Sequence, residues 1–315
     1  MTFGKPLLLA VAGTIMLSLV VCSTKDTASE KKSSHRLSRL PLGAVTAEGW
    51  LNTQLERSKA GMGGHLDELE PEMIAKPFID RQHKSPVSPG WSGEISGTYW
   101  TGLVQLAFTL NDEELKEKAR TWVYSTLALQ EEDGYLGSYR KNENRLEDYS
   151  AWSANWCYRA LLHYGDATGD QTILDAVHRG LLWFVKNWAG DQKTPYAGPI
   201  LMESMLVVYL KTGDEKLYTW CLDYIKWLDS HDTFHHGMAS LQRDSLEYNE
   251  DHVVAFGEHV KNPALIYLAG GGVEYLEASI NGLNQIMDKC WQPHGAPASN
   301  FEYLSRPSSR PLSDP

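Results

Sequence analysis

The chain has 315 residues, a formal net charge of −11, 42% hydrophobic residues and 22% charged residues. This balance is typical of a globular protein large enough for one or two domains, and it excludes a disordered chain or one embedded in a membrane. The acidic charge, with no Lys/Arg-rich cluster in the folded region, argues against a nucleic-acid partner, because binding a polyanion needs clustered cations.

The first 22 residues predict an export signal. Lys5 is followed by an apolar run from Leu7 to Val21, which is the arrangement of a secretory signal and is too short for a permanent membrane helix. The sequence before Cys22 also resembles a lipoprotein processing site, in which case Cys22 would be lipidated and would attach the chain to a membrane. Residues 23–41 are polar and predict a flexible tether. We therefore expect an exported protein, periplasmic or at the cell surface.

From about Leu42 onward, the apolar residues follow helical spacing with almost no strand-like alternation. Pairs of helical stretches recur at intervals of roughly 45 to 60 residues, which predicts stacked helical hairpins in an all-α domain over residues 42–304. Such hairpins either close into an (α/α) toroid or continue as an open solenoid. The four predicted pairs are 98–110 with 111–129, 153–167 with 173–188, 200–210 with 217–228, and 260–269 with 273–286.

The longer segments between these pairs favour the toroid. They cover residues 133–150, 229–251 and 289–315 and are rich in Gly, His, Asp, Asn and Tyr. This is the composition of loops that carry chemistry over one end of a rigid scaffold. At the start of the second helix, Asn111 is predicted as the N-terminal cap.

Several short clusters place a carboxylate or an imidazole beside an aromatic ring. They are Trp91 to Glu94, Asp133 to Gly137 with Tyr135 at its centre, Tyr248 to His252, and Gly257 to His259. Aromatic rings stack on sugars while charged side chains bind hydroxyl groups, so the mixture suits carbohydrate recognition. The same residues also suit helix caps and tight turns. Asp133-Gly134 in particular is typical of a turn.

No metal site is predicted from the cysteines and histidines. Cys157, Cys221 and Cys290 have no ligand spacing among them, and two of the three lie in apolar helical stretches as small core residues would. His235 and His236 are adjacent, so their side chains point in different directions on any regular element.

Five segments in chain order together resemble a known family. They are Trp91-Ser-Gly-Glu94, Asp133-Gly-Tyr-Leu-Gly137, Phe256-Gly-Glu-His259 with the following Val-Lys-Asn-Pro-Ala264, Gln292-Pro-His294-Gly, and Ser299-Asn-Phe-Glu302-Tyr-Leu304. The sequence is similar to the glycoside hydrolase family 127-like group of β-L-arabinofuranosidase-type proteins. The resemblance covers residues 42–304 and corresponds to the amino-terminal portion of the catalytic domain.

The resemblance implies an (α/α)6 toroid, followed in full-length members by β-sandwich domains, and an oligosaccharide or plant-type polysaccharide as substrate. It implies a retaining mechanism in which a zinc-held cysteine thiolate attacks the anomeric carbon and a glutamate acts as general acid and base. Glu302 matches that glutamate. His259 matches a pocket histidine that contacts the sugar. We expect the other substrate contacts among Glu258, Trp91, Glu94, Asp133, Tyr135 and His252.

One segment departs from the family pattern. Family members continue beyond the glutamate with a Glu-Thr-Cys motif that supplies zinc ligands, and with the nucleophilic cysteine further on, whereas residues 305–315 form a Pro/Ser-rich tail here. We therefore expect a chain truncated before its zinc and cysteine site, with no cofactor of its own although full-length members hold zinc. Two alternatives stay open. One is a non-catalytic carbohydrate-binding surface protein, and the other is a metal-independent enzyme similar to unsaturated uronyl hydrolases.

Overall fold

In a computed structural model of the protein, residues 40–83, 89–188, 196–231, 237–243, 252–293, 295–297, 299–300 and 303–304 are described. The predicted signal, nearly all of the tether and the Pro/Ser tail lie outside the described residues. Cys22, the pair His235-His236 and the predicted catalytic Glu302 also lie outside them. The described residues all belong to one unit that begins at Leu37.

The described part of the chain is almost entirely helical, as the apolar spacing predicts. Its helices are α1 Gly49–Ala60, α2 Met62–Leu69, α3 Pro71–Ile74, α4 Pro89–Thr109, α5 Glu113–Ala128, α6 Asp148–Thr168, α7 Gln171–Asn187, α8 Leu201–Thr212, α9 Glu215–His231, α10 Met238–Leu241, α11 Val253–His259, α12 Asn262–Leu268 and α13 Val273–Lys289, with 3-10 turns at Lys76–Phe78 and Gly198–Ile200. Two short strands, β1 Ser299–Asn300 and β2 Tyr303–Leu304, pair antiparallel with Ser299 opposite Leu304.

The helices form successive hairpins, and one helix of each hairpin packs on its counterpart in the next. The inner helices are α4, α6, α8 and α12, which contact one another in that order, and the helices α5, α7, α9 and α13 return on the outside. All four predicted pairs are thus confirmed as hairpins. Gly169 and Gly213 end α6 and α8 in the left-handed conformation that glycine adopts without strain.

Close contact between α4 and α6 depends on glycine. A Cβ atom at Gly97 would lie 2.6 Å from the Cβ of Trp156 and 2.8 Å from the backbone N of Cys157. One at Gly93 would lie 2.6 Å from the Cβ of Ser153. Because real Cβ contacts are wider than this, only glycine lets the two inner helices approach to their observed separation.

The outer helices are joined by a repeated contact. The carboxylates of Asp112, Asp170 and Asp214 lie at the starts of α5, α7 and α9. Each accepts a hydrogen bond from a helix earlier in the chain. The donors are Lys59 of α1, Tyr124 of α5 and, at 2.8 Å, Nε2 of His178 in α7. The same carboxylate therefore caps its own helix and fixes the neighbouring one, which sets the stagger between consecutive hairpins.

One prediction at a helix boundary is wrong. Asp112, and not Asn111, caps α5: its side chain accepts from the backbone N–H of Leu115 at 2.9 Å, while Asn111 takes a left-handed turn conformation with φ of 52°. The predicted helix over 260–269 is confirmed as α12, which begins at Asn262 and is separated from α11 by Val260 and Lys261. Pro263 in the first turn of α12 explains the break, because proline cannot donate the hydrogen bond that a continuous helix needs.

The described helices bury their aromatic residues extensively, as in the stack of Trp100 on Trp122 at 4.9 Å between centroids. Helix α13 leaves aliphatic side chains partly uncovered: Val273, Ile280, Leu283 and Met287 are about half exposed along one face. In the part of the chain that the structure describes, no helix combines the length and apolar character needed to cross a bilayer.

Candidate active site

The candidate site lies where the inner helices begin. The connection from α5 arrives at the amino-terminal end of α6, that from α7 at the amino-terminal end of α8, and that from α9 at α11, which precedes the inner helix α12. The loops of the toroid therefore gather at this end, which we call the mouth. Aromatic and imidazole side chains from α6, from α11 and from the segment before α8 converge there.

An aromatic and imidazole group, which we call the mouth cluster, consists of Trp152, Tyr196, His252 and His259. Trp152 stacks on Tyr196 at 5.6 Å between centroids, and His259 meets Trp152 edge-on at 6.1 Å. Tyr196 also meets His252 edge-on at 5.4 Å, and the hydroxyl of Tyr196 lies 3.5 Å from Nε2 of His252. Trp152 and His259 are buried, whereas Tyr196 and His252 are half-buried.

The local sequence explains how each ring is held. His252 is the N-terminal cap of α11, since its Nδ1 accepts from the backbone N–H of Ala255 at 3.1 Å. That bond leaves Nε2 facing Tyr196, so the cap fixes which imidazole nitrogen meets the mouth. Tyr196 precedes the 3-10 turn that opens α8. The cluster thus joins three inner segments of the ring.

Next to the mouth cluster, amide and hydroxyl side chains tie the inner helices together. Ser204 of α8 donates to Oδ1 of Asn155 at 2.6 Å, and Nδ2 of Asn262 donates to the carbonyl of Pro199 at 2.8 Å. Asn155 is fully buried, and within the described residues neither its Nδ2 nor the indole nitrogens of Trp152 and Trp156 have an acceptor. The α6 face therefore presents buried donors, which is the chemistry that oxygen-rich ligands satisfy.

A second group, which we call the charge cluster, lies one turn further along α6. Arg159 donates to the carboxylates of Glu203 in α8 and of Glu258 in α11, the latter at 2.6 Å. Lys261 lies 2.7 Å from Glu258 and 3.1 Å from Glu203. The guanidinium of Arg159 also covers the ring of Trp156 at 4.0 Å. Burial opposes ionisation of Glu203, but Arg159 and Lys261 outweigh it and hold its pKa below the ordinary value.

The structure brings some predicted site residues together and gives others different roles. His252 and His259 both belong to the mouth cluster. Glu258 instead belongs to the charge cluster, where its carboxylate is bound by two cations. Trp91 and Glu94 lie in the first two turns of α4, with Trp91 about two-fifths exposed. As sugar contacts, all of these residues remain predictions.

Asp133 and Tyr135 have structural contacts elsewhere in the fold. The carboxylate of Asp133 accepts from the backbone N–H of Tyr135 at 3.1 Å and from the indole of Trp183 at 3.1 Å. Tyr135 is only 1% exposed and lies under the guanidinium of Arg145 at 3.8 Å. No described contact joins either residue to His259. These contacts give the segment a turn-forming role, and its role in sugar binding remains a prediction.

Sequence reasoning missed Trp152, Asn155, Arg159, Glu203 and Tyr196. A signal for part of this set was present, because Trp152, Asn155 and Arg159 follow the i, i+3, i+7 spacing of one helix face. Polar residues on a face that the hairpin pattern assigns to the interior mark a functional or network position. The partners on other helices leave no comparable trace in the sequence.

Comparison with protein families decides the relationship. The family model for the β-L-arabinofuranosidase, glycoside hydrolase family 127 catalytic domain matches residues 44–311. The chain belongs to glycoside hydrolase family 127. The resemblance of the five sequence segments is thereby confirmed at the level of the family. A comparison with curated proteins gave no match.

Solved structures of this family share the fold. A family 127 β-arabinofuranosidase superposes with a TM-score of 0.67 at 16% identity, covering 85% of this chain and 46% of that one. A β-L-arabinofuranosidase of family 127 from Geobacillus stearothermophilus gives 0.65 at 14% identity, covering 83% and 48%. The helical hairpins are thus part of an (α/α)6 toroid. The chain spans about half the length of either solved structure.

The zinc site implied by the family can be tested against the cysteines present. Cys157 and Cys221 are fully buried, and burial raises the pKa of both thiols well above the ordinary value. A zinc thiolate requires the opposite shift and several adjacent ligands. Among the described residues, no three His, Cys, Asp or Glu side chains gather as a metal ion would need. These cysteines do not fit the zinc site.

Proposed function

We propose that this member of glycoside hydrolase family 127 binds an arabinofuranose-containing, plant-type glycan at the mouth of its toroid, as part of a glycosidase activity. The observation that carries the proposal is the mouth cluster itself. It places two half-buried groups, Tyr196 and His252, over a buried base of Trp152 and His259. The family and the fold supply the expectation of a glycoside substrate.

The chemistry of the mouth suits a neutral sugar. Tyr196 offers a phenol ring for contact with the apolar face of a furanose and a hydroxyl for its oxygens. Because Nδ1 of His252 accepts from the backbone N–H of Ala255, Nε2 carries the proton of the neutral ring and acts as a donor toward sugar hydroxyls. The buried donors of Asn155 and Trp156 add positions that ligand oxygens would satisfy. In this interpretation the described residues bind and orient the sugar.

Hydrolysis itself needs groups beyond this cluster. Glu302, which matches the family's general acid/base, lies outside the described residues, and Cys157 and Cys221 do not fit the zinc-held nucleophile. No step is therefore assigned to a metal or to these cysteines. The burial of Cys157 and Cys221 is the observation behind a second candidate function, in which the chain binds the glycan without cleaving it.

The two functions are separated by measuring binding and turnover on one preparation. Titration calorimetry and thermal unfolding measure binding of β-L-arabinofuranosyl oligosaccharides and arabinan fragments. Turnover is measured as released L-arabinose, with and without added zinc. Release that depends on the protein establishes the hydrolase. Thermal stabilisation without release establishes the binding protein, since a ligand that binds only the folded state raises its stability.

Matched variants locate the site. His259→Ala is expected to weaken binding, while His65→Ala, which removes an exposed histidine of α2, is expected to leave it unchanged. Equal affinity in the two variants, or no binding by the parent protein, contradicts the proposal. Loss of ultraviolet absorbance from an unsaturated uronide would instead identify the uronyl hydrolase alternative.

A further inference from the structure

The short helix α11 carries both imidazoles of the mouth cluster. It spans only Val253–His259, with His252 as its cap and His259 as its last residue. A helix of this length is not stable by itself and takes its position from tertiary contacts. Whatever fixes α11 therefore fixes both histidines.

Apolar contacts hold one face of α11. Ala255 and Phe256 are fully buried, and Ala255 belongs to the same apolar group as Trp152 and Ile200. Burial of this face determines which side of the helix points inward, but apolar contacts are non-directional and define the rotation about the helix axis less narrowly than a hydrogen bond does. A directional contact is needed to decide where His259 points.

Glu258 supplies that contact. Its carboxylate accepts a hydrogen bond from Arg159 of α6 at 2.6 Å and pairs with the ammonium group of Lys261 at 2.7 Å. Adjacent residues of an α-helix point roughly 100° apart, because the helix has 3.6 residues per turn. Holding Glu258 toward Arg159 therefore turns His259 by a fixed angle, toward the ring of Trp152.

Arg159 is itself held from several sides. It lies over Trp156 at 4.0 Å and also donates to Glu203 of α8. Two cations face two carboxylates, so the cluster is neutral and its partly buried charges compensate one another. Removing either carboxylate changes the net charge of the cluster by one unit, but the two removals break different links between helices.

We propose that Arg159 and Glu258 are positioning residues, which set the rotation of α11 and so hold His252 and His259 in the geometry of the sugar-binding mouth. This inference rests on the proposed function for its consequence in binding. The anchoring of α11 itself is independent of any ligand. Glu258, predicted as a substrate contact, acts in this account through the two histidines.

The test compares Glu258→Gln with Glu203→Gln. Both remove one carboxylate from the same cluster, but only the first removes the direct bond between α11 and Arg159. Glu203 lies on α8 and pairs with Lys261, after α11 has ended. Hydrogen exchange of the α11 amides, measured without ligand, is expected to quicken about tenfold or more in Glu258→Gln and much less in Glu203→Gln. Equal exchange in the two variants overturns the proposal.

Binding of β-L-arabinofuranosyl oligosaccharide by the same variants provides the second measurement. Glu258→Gln is expected to lose about tenfold in affinity, and clearly less than tenfold when it is added to His259→Ala, because the part of its effect that passes through His259 is then already lost. Additive losses would overturn the positioning role. If the parent protein binds no arabinofuranoside, the proposed function fails, and the exchange comparison still decides whether Glu258 holds α11.

Discussion

The rings of Trp152 and Tyr196 lie parallel to within 6°, with their centroids 5.6 Å apart. Trp152 belongs to α6, whereas Tyr196 lies in the connection that leads into α8. The stack therefore joins two consecutive hairpins at the mouth. It also places the hydroxyl of Tyr196 next to His252.

Replacing Tyr196 is expected to impair glycan binding more than folding. Tyr196→Ala removes the half-buried ring that faces the mouth, and we expect a loss of about tenfold in affinity for arabinofuranosyl oligosaccharides, comparable to one aromatic contact. Tyr196→Phe keeps the stack and loses only the hydroxyl, so it should retain most of the affinity. Titration calorimetry measures both variants. Unchanged affinity in Tyr196→Ala would place the sugar elsewhere.

The packing of α4 on α6 predicts opposite effects at two glycines of one helix. Gly97→Ala forces a methyl group against the backbone of Cys157 and should lower the free energy of unfolding by about 2 kcal/mol or more. Gly102→Ala meets no atom within 4 Å and should raise it by about 0.5–1 kcal/mol, because alanine loses less backbone entropy in a helix. Urea unfolding of both variants checks the pair. A neutral Gly97→Ala would show that α4 and α6 do not approach this closely.

The aspartates that join the outer helices predict sensitivity to acid. The hydrogen bond from Tyr124 is the main cause of the lowered pKa of Asp170, and that from Lys59 of the lowered pKa of Asp112. A carboxylate whose folded pKa lies below its unfolded value stabilises the fold above the unfolded pKa. That stability is lost as the pH falls, between about pH 5 and pH 2.

Substitution at one of these contacts should make the acid dependence shallower. Asp170→Asn keeps a competent cap for α7 but no longer titrates, and Tyr124→Phe removes the donor while keeping the carboxylate. Both variants should lose less stability than the parent over this pH interval, as followed by urea unfolding at each pH. An unchanged slope in Tyr124→Phe would show that Tyr124 is not the source of the lowered pKa.

The buried thiols predict low reactivity. Cys157 and Cys221 are fully buried in apolar surroundings that raise their pKa, so iodoacetamide at neutral pH should leave them unmodified in the folded protein and alkylate them in urea. Mass spectrometry of the peptides reads the result. Rapid alkylation of either residue in the native state would indicate an activated thiolate and would reopen the question of a cysteine nucleophile.

The sequence alone determined the helical hairpins and the family. Helix periodicity and the glycines that end α6 and α8 are local signals, since each depends on residues within a few turns of one another. The order of the hairpins follows from their recurrence along the chain. The family resemblance likewise rests on short segments in a fixed order, and the family match over residues 44–311 confirms it.

Only the tertiary structure decided which side chains share a site. Arg159 and Glu258 are 99 positions apart in the chain, and their contact exists only because α11 lies beside α6 in the folded protein. From the sequence, Asp133, Tyr135 and Glu258 are predicted to contact the sugar. In the structure, Asp133 stabilises a turn, the ring of Tyr135 is buried, and Glu258 forms ion pairs. Local spacing predicts which face of a helix is buried. It does not predict which residues contact that face, because those contacts depend on packing between residues distant in the chain.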